Sequence, residues 1–340
     1  MKLIKTEDAV GHVLCHDITQ IIKGVTKDAV FRKGHVVKEE DIPVLLSVGK
    51  ENLYVWEKDD NLLHENEAAE ILYAISADEN MHGSDIKEGK IELIADVDGV
   101  LMIDRDKLRK INSLGQMMIA SRHGGFPVKR GDKLAGTRVI PLVIAKEKME
   151  EAKSIAGDEP IFKLAPYKLR TAGVVTTGSE VFKNRIEDTF TPVIVEKLAE
   201  YGIEMTMHAI CSDDHEDITA EINKMLEAGV DMILCTGGMS VDPDDRTPLA
   251  IKNAGTDIVT YGAPVLPGAM FLLSYKGDVP VMGLPGCVMY ARRTIFDLVL
   301  PRVAAGVKIS QKDLAGLGEG GLCLSCEQCT YPNCGFGKGV

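Results

Sequence analysis

The sequence predicts an α/β protein: a parallel sheet with helices on both faces over residues 166–306, preceded by a smaller α+β part and a mainly-β part. Three observations predict it. From about residue 166, apolar strand-like runs alternate with amphipathic helices that end in glycine. Repeated β-α units of that spacing imply parallel strands covered on both faces, with ligand groups at the carboxyl ends of the strands. Residues before 166 lack this rhythm, and the chain closes on CLSCEQCTYPNCGFGKG, which holds four of the eight cysteines.

In order along the chain, residues 1–60 mix short apolar runs with one helical stretch, KEEDIPVLLSVG, that stops at Gly49 before the strand-like NLYVWE. Residues 61–165 open with the amphipathic LLHENEAAEILYAISA and continue as KIELIADVDGVLMID, MMIASRHGGFPVKRGDKLAG and TRVIPLVIA, short strands with glycine-rich turns. In residues 166–306, RTAGVVTTG, IEMTMHAI and VDMILCTGG read as strands. Between them, IEDTFTPVIVEKLAEYG and DHEDITAEINKMLEAG read as helices closed by Gly202 and Gly229. A last helix is expected from LPGC, at about 286, to 305. Residues 307–340 form a Gly-rich linker and a Cys-rich tail. The linker's GLGEGG matches G-x-G-x-x-G, but it opens no helix, so the dinucleotide-binding context is missing.

With 340 residues, 45% of them hydrophobic, the chain is long enough for two or three cores. The opening MKLIKTEDAVGHVLCHD has no apolar signal region, and no run approaches the roughly 20 apolar residues of a membrane span. A cytoplasmic protein is expected. Unevenly spaced cysteines in apolar segments such as MILCTGG point to reduced thiols. A formal charge of −12 weighs against a nucleic-acid or anionic-membrane surface, leaving a local basic pocket as the place for an anion.

Two glycine-terminated strands carry the candidate chemistry. TTGSE (Thr176 to Glu180) and TGGMS (Thr236 to Ser240) put small residues and hydroxyls where backbone N–H groups can turn towards a phosphate. The alternative is that the glycines serve only tight turns. CSDDHED places Asp213 and Asp214, and SVDPDDRTP places Asp242, Asp244 and Asp245, on the same sheet edge. Carboxylates beside anion-binding loops suggest Mg²⁺ bridging protein and phosphate, while Asp213 or Asp214 alternatively caps the helix near His215.

In the tail, Cys323, Cys326, Cys329 and Cys334 follow the spacing C-x2-C-x2-C-x4-C. Four thiolates this close satisfy Zn²⁺ or an iron–sulfur cluster. The final gap is one residue longer than in the bacterial ferredoxin run, and the proline after it is absent. His12, Cys15 and His16 in GHVLCH are a weaker set, read as structural. Cys287, at the expected start of the last helix, should have its thiol pKa lowered by the helix dipole.

The succession of TTGSE, EDTFTP, CSDD, MILCTGGMS and VMGLPG resembles the molybdopterin-binding domain shared by molybdopterin adenylyltransferases and molybdopterin molybdotransferases, over roughly residues 168–306. The resemblance implies a first loop of Thr177, Gly178 and Glu180, and a role for Asp188. Asp213 follows the second strand, and Gly237, Gly238 and Ser240 form a pterin-phosphate loop. Asp245 is the acidic residue after that loop, and Pro285 and Gly286 open the last helix. Asp213 and Asp245 are the implied catalytic pair. Molybdopterin and Mg²⁺ are the implied ligands, a homo-oligomer the implied assembly, and a molybdenum or tungsten oxidoreductase the implied recipient. FRKGHVVKEEDIPVLLSVGKENLYV also resembles, loosely, a segment of the larger molybdotransferases.

The chain departs from that pattern in several places. The turn that usually carries lysines reads VLPGAMF, with Leu266 and Ala269 in their places. LPGNP becomes LPGCV, and Asp242 stands where a glycine is expected. The basic side chains left to meet a phosphate are Lys183, Arg185 and Arg246. The expected function is a molybdopterin-binding protein of molybdenum or tungsten cofactor biosynthesis, resembling a molybdotransferase. The alternatives are a non-catalytic carrier or sensor of the cofactor, or a nucleotide hydrolase of the competence-damage-inducible type.

Overall fold

A computed structural model describes residues 2–22, 26–55, 60–183, 185–240, 242 and 245–339. Asp244, and Trp56 and Glu57 at the end of NLYVWE, lie outside the described residues. The chain divides into two compact units. One comprises Met1–Asp96, Ile103–Arg122 and Gly131–Lys163, and the other Val97–Met102, His123–Arg130 and Leu164–Val340.

In the first unit, strand Lys2–Lys5 pairs antiparallel with Asn52–Val55, and Leu14, Ile18, Val37, Leu45 and Leu53 form a small core. A four-stranded antiparallel sheet runs in the order Met81–Gly83, Lys90–Ala95, Lys133–Val139, Met117–Ser121. Helix Glu65–Ser76 buries Ala68, Ala69 and Leu72, the periodic stripe that its sequence shows. Helices Arg105–Ser113 and Lys146–Ala156 are absent from the sequence reading. Arg105–Ser113 buries only Ile111, so charged residues mask its period.

The second unit contains a six-stranded sheet: β1 Thr171–Thr177, β2 Glu204–Cys211, β3 Met232–Thr236, β4 Asp257–Tyr261, β5 Leu272–Lys276 and β6 Val279–Leu284. Its order is β2-β1-β3-β6-β5-β4. The first four strands are parallel, and β5 and β4 add an antiparallel edge that the repeating pattern does not announce. Side chains alternate between the faces. On one face Val174, Leu234 and Met282 pack with Ile194 and Leu198 of helix α1 (Phe190–Ala199). On the other, Val175, Ile233 and Val281 pack with Ile218 and Ile222 of α2 (His215–Glu227) and Ile251 of α3 (Thr247–Asn253). The sheet is thus mainly parallel and covered on both faces.

The last helix, α4 (Ile295–Ala304), begins nine residues later than its sequence suggests, since 295 − 286 = 9. Gly286–Met289 is one 3-10 turn. The true start is a capping box, in which Thr294 Oγ1 accepts from Phe296 N at 3.2 Å and Asp297 accepts from Thr294 N at 2.7 Å. Cys287 is therefore not at the end of a long helix dipole. Burial instead raises its thiol pKa, against the expectation of a thiolate.

The Gly-rich stretch is not a free tether. A Cβ at Gly339 would overlap the Glu319 carbonyl oxygen, so the glycines let the end of the chain lie flat against its own approach. Phe336 is buried in the core that contains Leu298 of α4, and Tyr331 Oη donates to Asp297 O at 2.8 Å.

Candidate functional site

Strands β1, β2, β3 and β6 present their carboxyl ends on one edge, at Thr177, Cys211, Thr236 and Leu284. After β1 the chain turns at Gly178 (φ 139°) into the single helical turn Ser179–Phe182, which holds Glu180 exposed. After β3 come Gly237 (φ 84°) and Gly238 (φ 56°), both left-handed, and then exposed Ser240. After β6, Pro285 is buried and Gly286 exposed.

The two glycine loops touch. A Cβ on Gly237 would overlap the Thr177 carbonyl oxygen and lie 2.7 Å from Thr177 Oγ1. Thr247, opening α3, donates its hydroxyl to Gly237 O at 2.9 Å and its N–H to Gly238 O at 3.2 Å. Thr177 Oγ1 lies 3.4 Å from Thr247 Oγ1. Asp213 accepts from Ser179 N at 2.8 Å, tying the end of β2 to the first loop. Thr177, Gly178, Gly237, Gly238 and Asp213 are therefore linked through neighbouring contacts.

The other acidic residues order local chain. Asp214 caps α2, accepting from Glu216 N at 2.8 Å. Asp245 accepts from Asp242 N at 3.2 Å and donates its own N–H to Asp242 O at 2.9 Å, closing the turn after the glycine pair. Asp188 accepts from Phe190 N, Thr191 N and Thr191 Oγ1 at 2.9, 3.0 and 2.5 Å. Burial raises its pKa, but those bonds outweigh it and hold the carboxyl below the usual range.

Two residues absent from the sequence reading support the edge. His208 of β2 places Nε2 3.0 Å from Thr176 Oγ1 and 3.7 Å from Asp188, joining β1, β2 and the start of α1. Tyr261 of β4 donates its hydroxyl to Met239 O at 3.1 Å, bracing the second glycine loop. Neither is flagged by a local motif, because each acts on a partner far away in sequence. Lys183, Arg185 and Arg246 are exposed.

Gly237 and Gly238 carry no Cβ at this contact, and among the described residues the buried Thr236 hydroxyl has no hydrogen-bond partner. The segment Tyr290–Arg293 and the tail line a partly open cavity of about 650 Å³, which all four tail cysteines border. Among the described residues, no three His, Cys, Asp or Glu side chains are gathered closely enough to hold a single metal ion. No helix among them is long and apolar enough to cross a membrane.

A mainly parallel sheet covered on both faces, with two abutting glycine loops at its carboxyl edge, defines an α/β domain. Residues 173–305 match the family described as "Probable molybdopterin binding domain". Residues 3–57 match a domain of unknown function, DUF8806. The CinA-like protein of Mycobacterium tuberculosis is 42% identical over 89 residues, 26% of this chain and 21% of that protein. The CinA-like protein of Mycobacterium avium is 40% identical over 76 residues, 22% of this chain and 18% of that protein. The chain thus spans about a fifth of the length of these curated relatives. Among solved structures, the molybdopterin biosynthesis enzyme MoaB from Thermus thermophilus is similar with TM-score 0.35 and 21% identity, covering 42% of this chain and 99% of that one. CinA from Thermoplasma acidophilum gives TM-score 0.35 and 20% identity, covering 40% and 98%.

Proposed function

We propose that the carboxyl edge of this sheet binds the terminal phosphate of molybdopterin, and that the protein serves molybdenum or tungsten cofactor biosynthesis as a molybdotransferase-like protein. The observation that carries the reading is the pair of left-handed glycines, Gly237 and Gly238, packed against Thr177 inside the segment that matches the molybdopterin-binding family. Thr177, Gly178, Glu180, Ser240, Pro285 and Gly286 complete the pterin site, and Asp188 holds its α1 side in place. Asp213 and Asp245 are the proposed carboxylates for Mg²⁺, an ion that takes one or two carboxylates and fills its remaining positions with phosphate oxygens and water. The four tail cysteines are read as ligands of a metal centre, iron–sulfur or zinc. By resemblance, the protein works as a homo-oligomer in the cytoplasm and hands its cofactor to a molybdenum or tungsten oxidoreductase.

One observation favours a carrier over a transferase. The turn where the resembling molybdotransferases carry lysines is here hydrogen-bonded to the tail, with Leu266 N donating to Gly321 O and Cys323 N donating to Leu266 O, both at 2.8 Å. Calorimetric titration with molybdopterin, followed by assay of ATP- or adenylate-dependent turnover, separates the readings. Turnover that Asp245→Asn abolishes while binding persists supports the transferase. Binding without turnover supports the carrier. No pterin affinity, together with pyrophosphatase activity on dinucleotides or nucleotide sugars, overturns both in favour of a hydrolase.

A further inference from the structure

We infer that the partly open cavity between Tyr290–Arg293 and the tail binds a flat heteroaromatic ligand with an N–H edge at one end and a negative charge at the other. This site lies outside the glycine loops, and the inference does not rest on the phosphate reading or on any of the cysteines. The cavity, of about 650 Å³, is bordered by three stretches distant in sequence: Pro267 between β4 and β5, Tyr290–Arg293 after β6, and the tail from Gly320 to Phe336. Its volume falls within the range of small-molecule sites, but volume names no ligand. The side chains around it do.

The walls are fixed by bonds within the protein. Tyr261 pairs with Leu272 and Leu272 with Gly283, so the turn between β4 and β5 and the segment after β6 leave the sheet at one edge. That is the carboxyl edge, where parallel α/β sheets hold their ligands. Cys323 N donates to Leu266 O and Leu266 N to Gly321 O, both at 2.8 Å, which joins the tail to the turn. Arg292 Nη1 donates to Glu327 O at 2.6 Å, which ties the segment after β6 to the tail. Tyr331 Oη donates to Asp297 O at 2.8 Å, and Phe336 is buried. Walls held in this way lower the ordering cost of binding.

Three large apolar side chains at the cavity are left in water. Tyr290 is 77% exposed, Leu322 62% and Leu324 78%, and they come from two different walls. Tyr331 is already covered, with the Arg293 guanidinium 4.9 Å from its ring centre and the rings of Phe126 and Phe336 at 6.1 and 6.4 Å. Tyr290 has no such partner among the described residues. A flat ring stacked on Tyr290 and packed against the two leucines covers all three, and stacking of this kind is open to any aromatic base.

Charge separates the two arginines. Arg293 is held by Glu200 at 3.1 Å and Asp297 at 2.9 Å. Arg292 bonds to the main-chain oxygens of Cys326 and Glu327, and among the described residues it has no ion pair. Its remaining N–H groups suit a carboxylate or a phosphate. Glu327, Ser325 and Thr330 also border the cavity. A carboxylate and two hydroxyls accept hydrogen bonds, so they complement the N–H edge of a heteroaromatic ring better than a hydrocarbon.

The probe is pterin-6-carboxylate, which is flat, fluorescent and anionic and has amino and ring N–H groups. Fluorescence titration of the full-length protein as purified should saturate at one probe per chain. Tyr290→Ala should weaken binding about tenfold or more through loss of stacking, and Arg292→Gln about as much through loss of the charged partner. Tyr290→Phe, which keeps the ring, should retain the parent affinity. Tyr290→Ala leaves the Arg292 bond to Glu327 in place, so its effect is read without detaching the tail. Guanosine 5′-monophosphate shares the N–H edge and the anion. Its displacement of the probe assigns the site to nucleotide bases and its failure to displace assigns the site to pterins, and either outcome supports the inference. Absence of saturable binding, or binding that neither Tyr290→Ala nor Arg292→Gln weakens, overturns it. Molybdopterin binding that Gly237→Ala weakens would survive that result, so the two readings fail separately.

Discussion

Gly237 shows how one atom controls the site. Its φ of 84° disfavours any side chain, and the Thr177 carbonyl oxygen occupies the space a Cβ would need. Gly237→Ala is expected to push the two glycine loops apart, lowering stability by about 1–3 kcal/mol and weakening pterin binding at least tenfold. Urea unfolding and calorimetric titration of the same variant measure the two effects. The glycines are legible in the sequence, but the reason for them is not. Either glycine loop alone fits an ordinary turn, and only the folded structure shows that the two loops touch.

At the scale of elements, helix starts show both the reach and the limit of local pattern. His64 caps helix Glu65–Ser76, with Nδ1 accepting from Asn66 N at 3.2 Å, Nε2 2.8 Å from Cys15 O, and Glu67 closing the box. Burial lowers its pKa, with the Lys33 ammonium adding to this and the bond to the Cys15 carbonyl opposing it. The capping nitrogen must stay unprotonated to accept. Stability from this group is full above the ordinary histidine range and is lost as pH falls below about 6.5 towards the lower folded value. Melting temperatures of the parent and His64→Gln between about pH 7 and pH 5 should show a decline for the parent that the variant lacks. Asp214 was readable as a cap because it sits directly before the apolar period of α2. For α4, LPGC imitates a helix start, but the cap is Thr294, whose Asp297 partner also meets Lys197 Nζ at 2.6 Å across 100 residues of sequence. That distant charge pair has no local signature.

At the scale of the molecule, the tail is part of the α/β unit. Phe336 lies in its core and Arg293 stacks over Tyr331 at 4.9 Å from the ring centre. Phe336→Ala should remove about 3–5 kcal/mol and release the tail, read as new protease cleavage between residues 316 and 330 with the sheet intact. Sequence alone determined the parallel strands, the helices between them and the acidic and glycine loops at their carboxyl ends, because each depends on neighbours within one turn or one strand pair. Tertiary structure alone decided that the four tail cysteines line one cavity. The contacts responsible, Tyr331 to Asp297 and Arg292 to Glu327, join residues 34 and 35 positions apart. A Gly-rich segment has the same local pattern whether it swings free or lies packed, and only the surface it meets settles which.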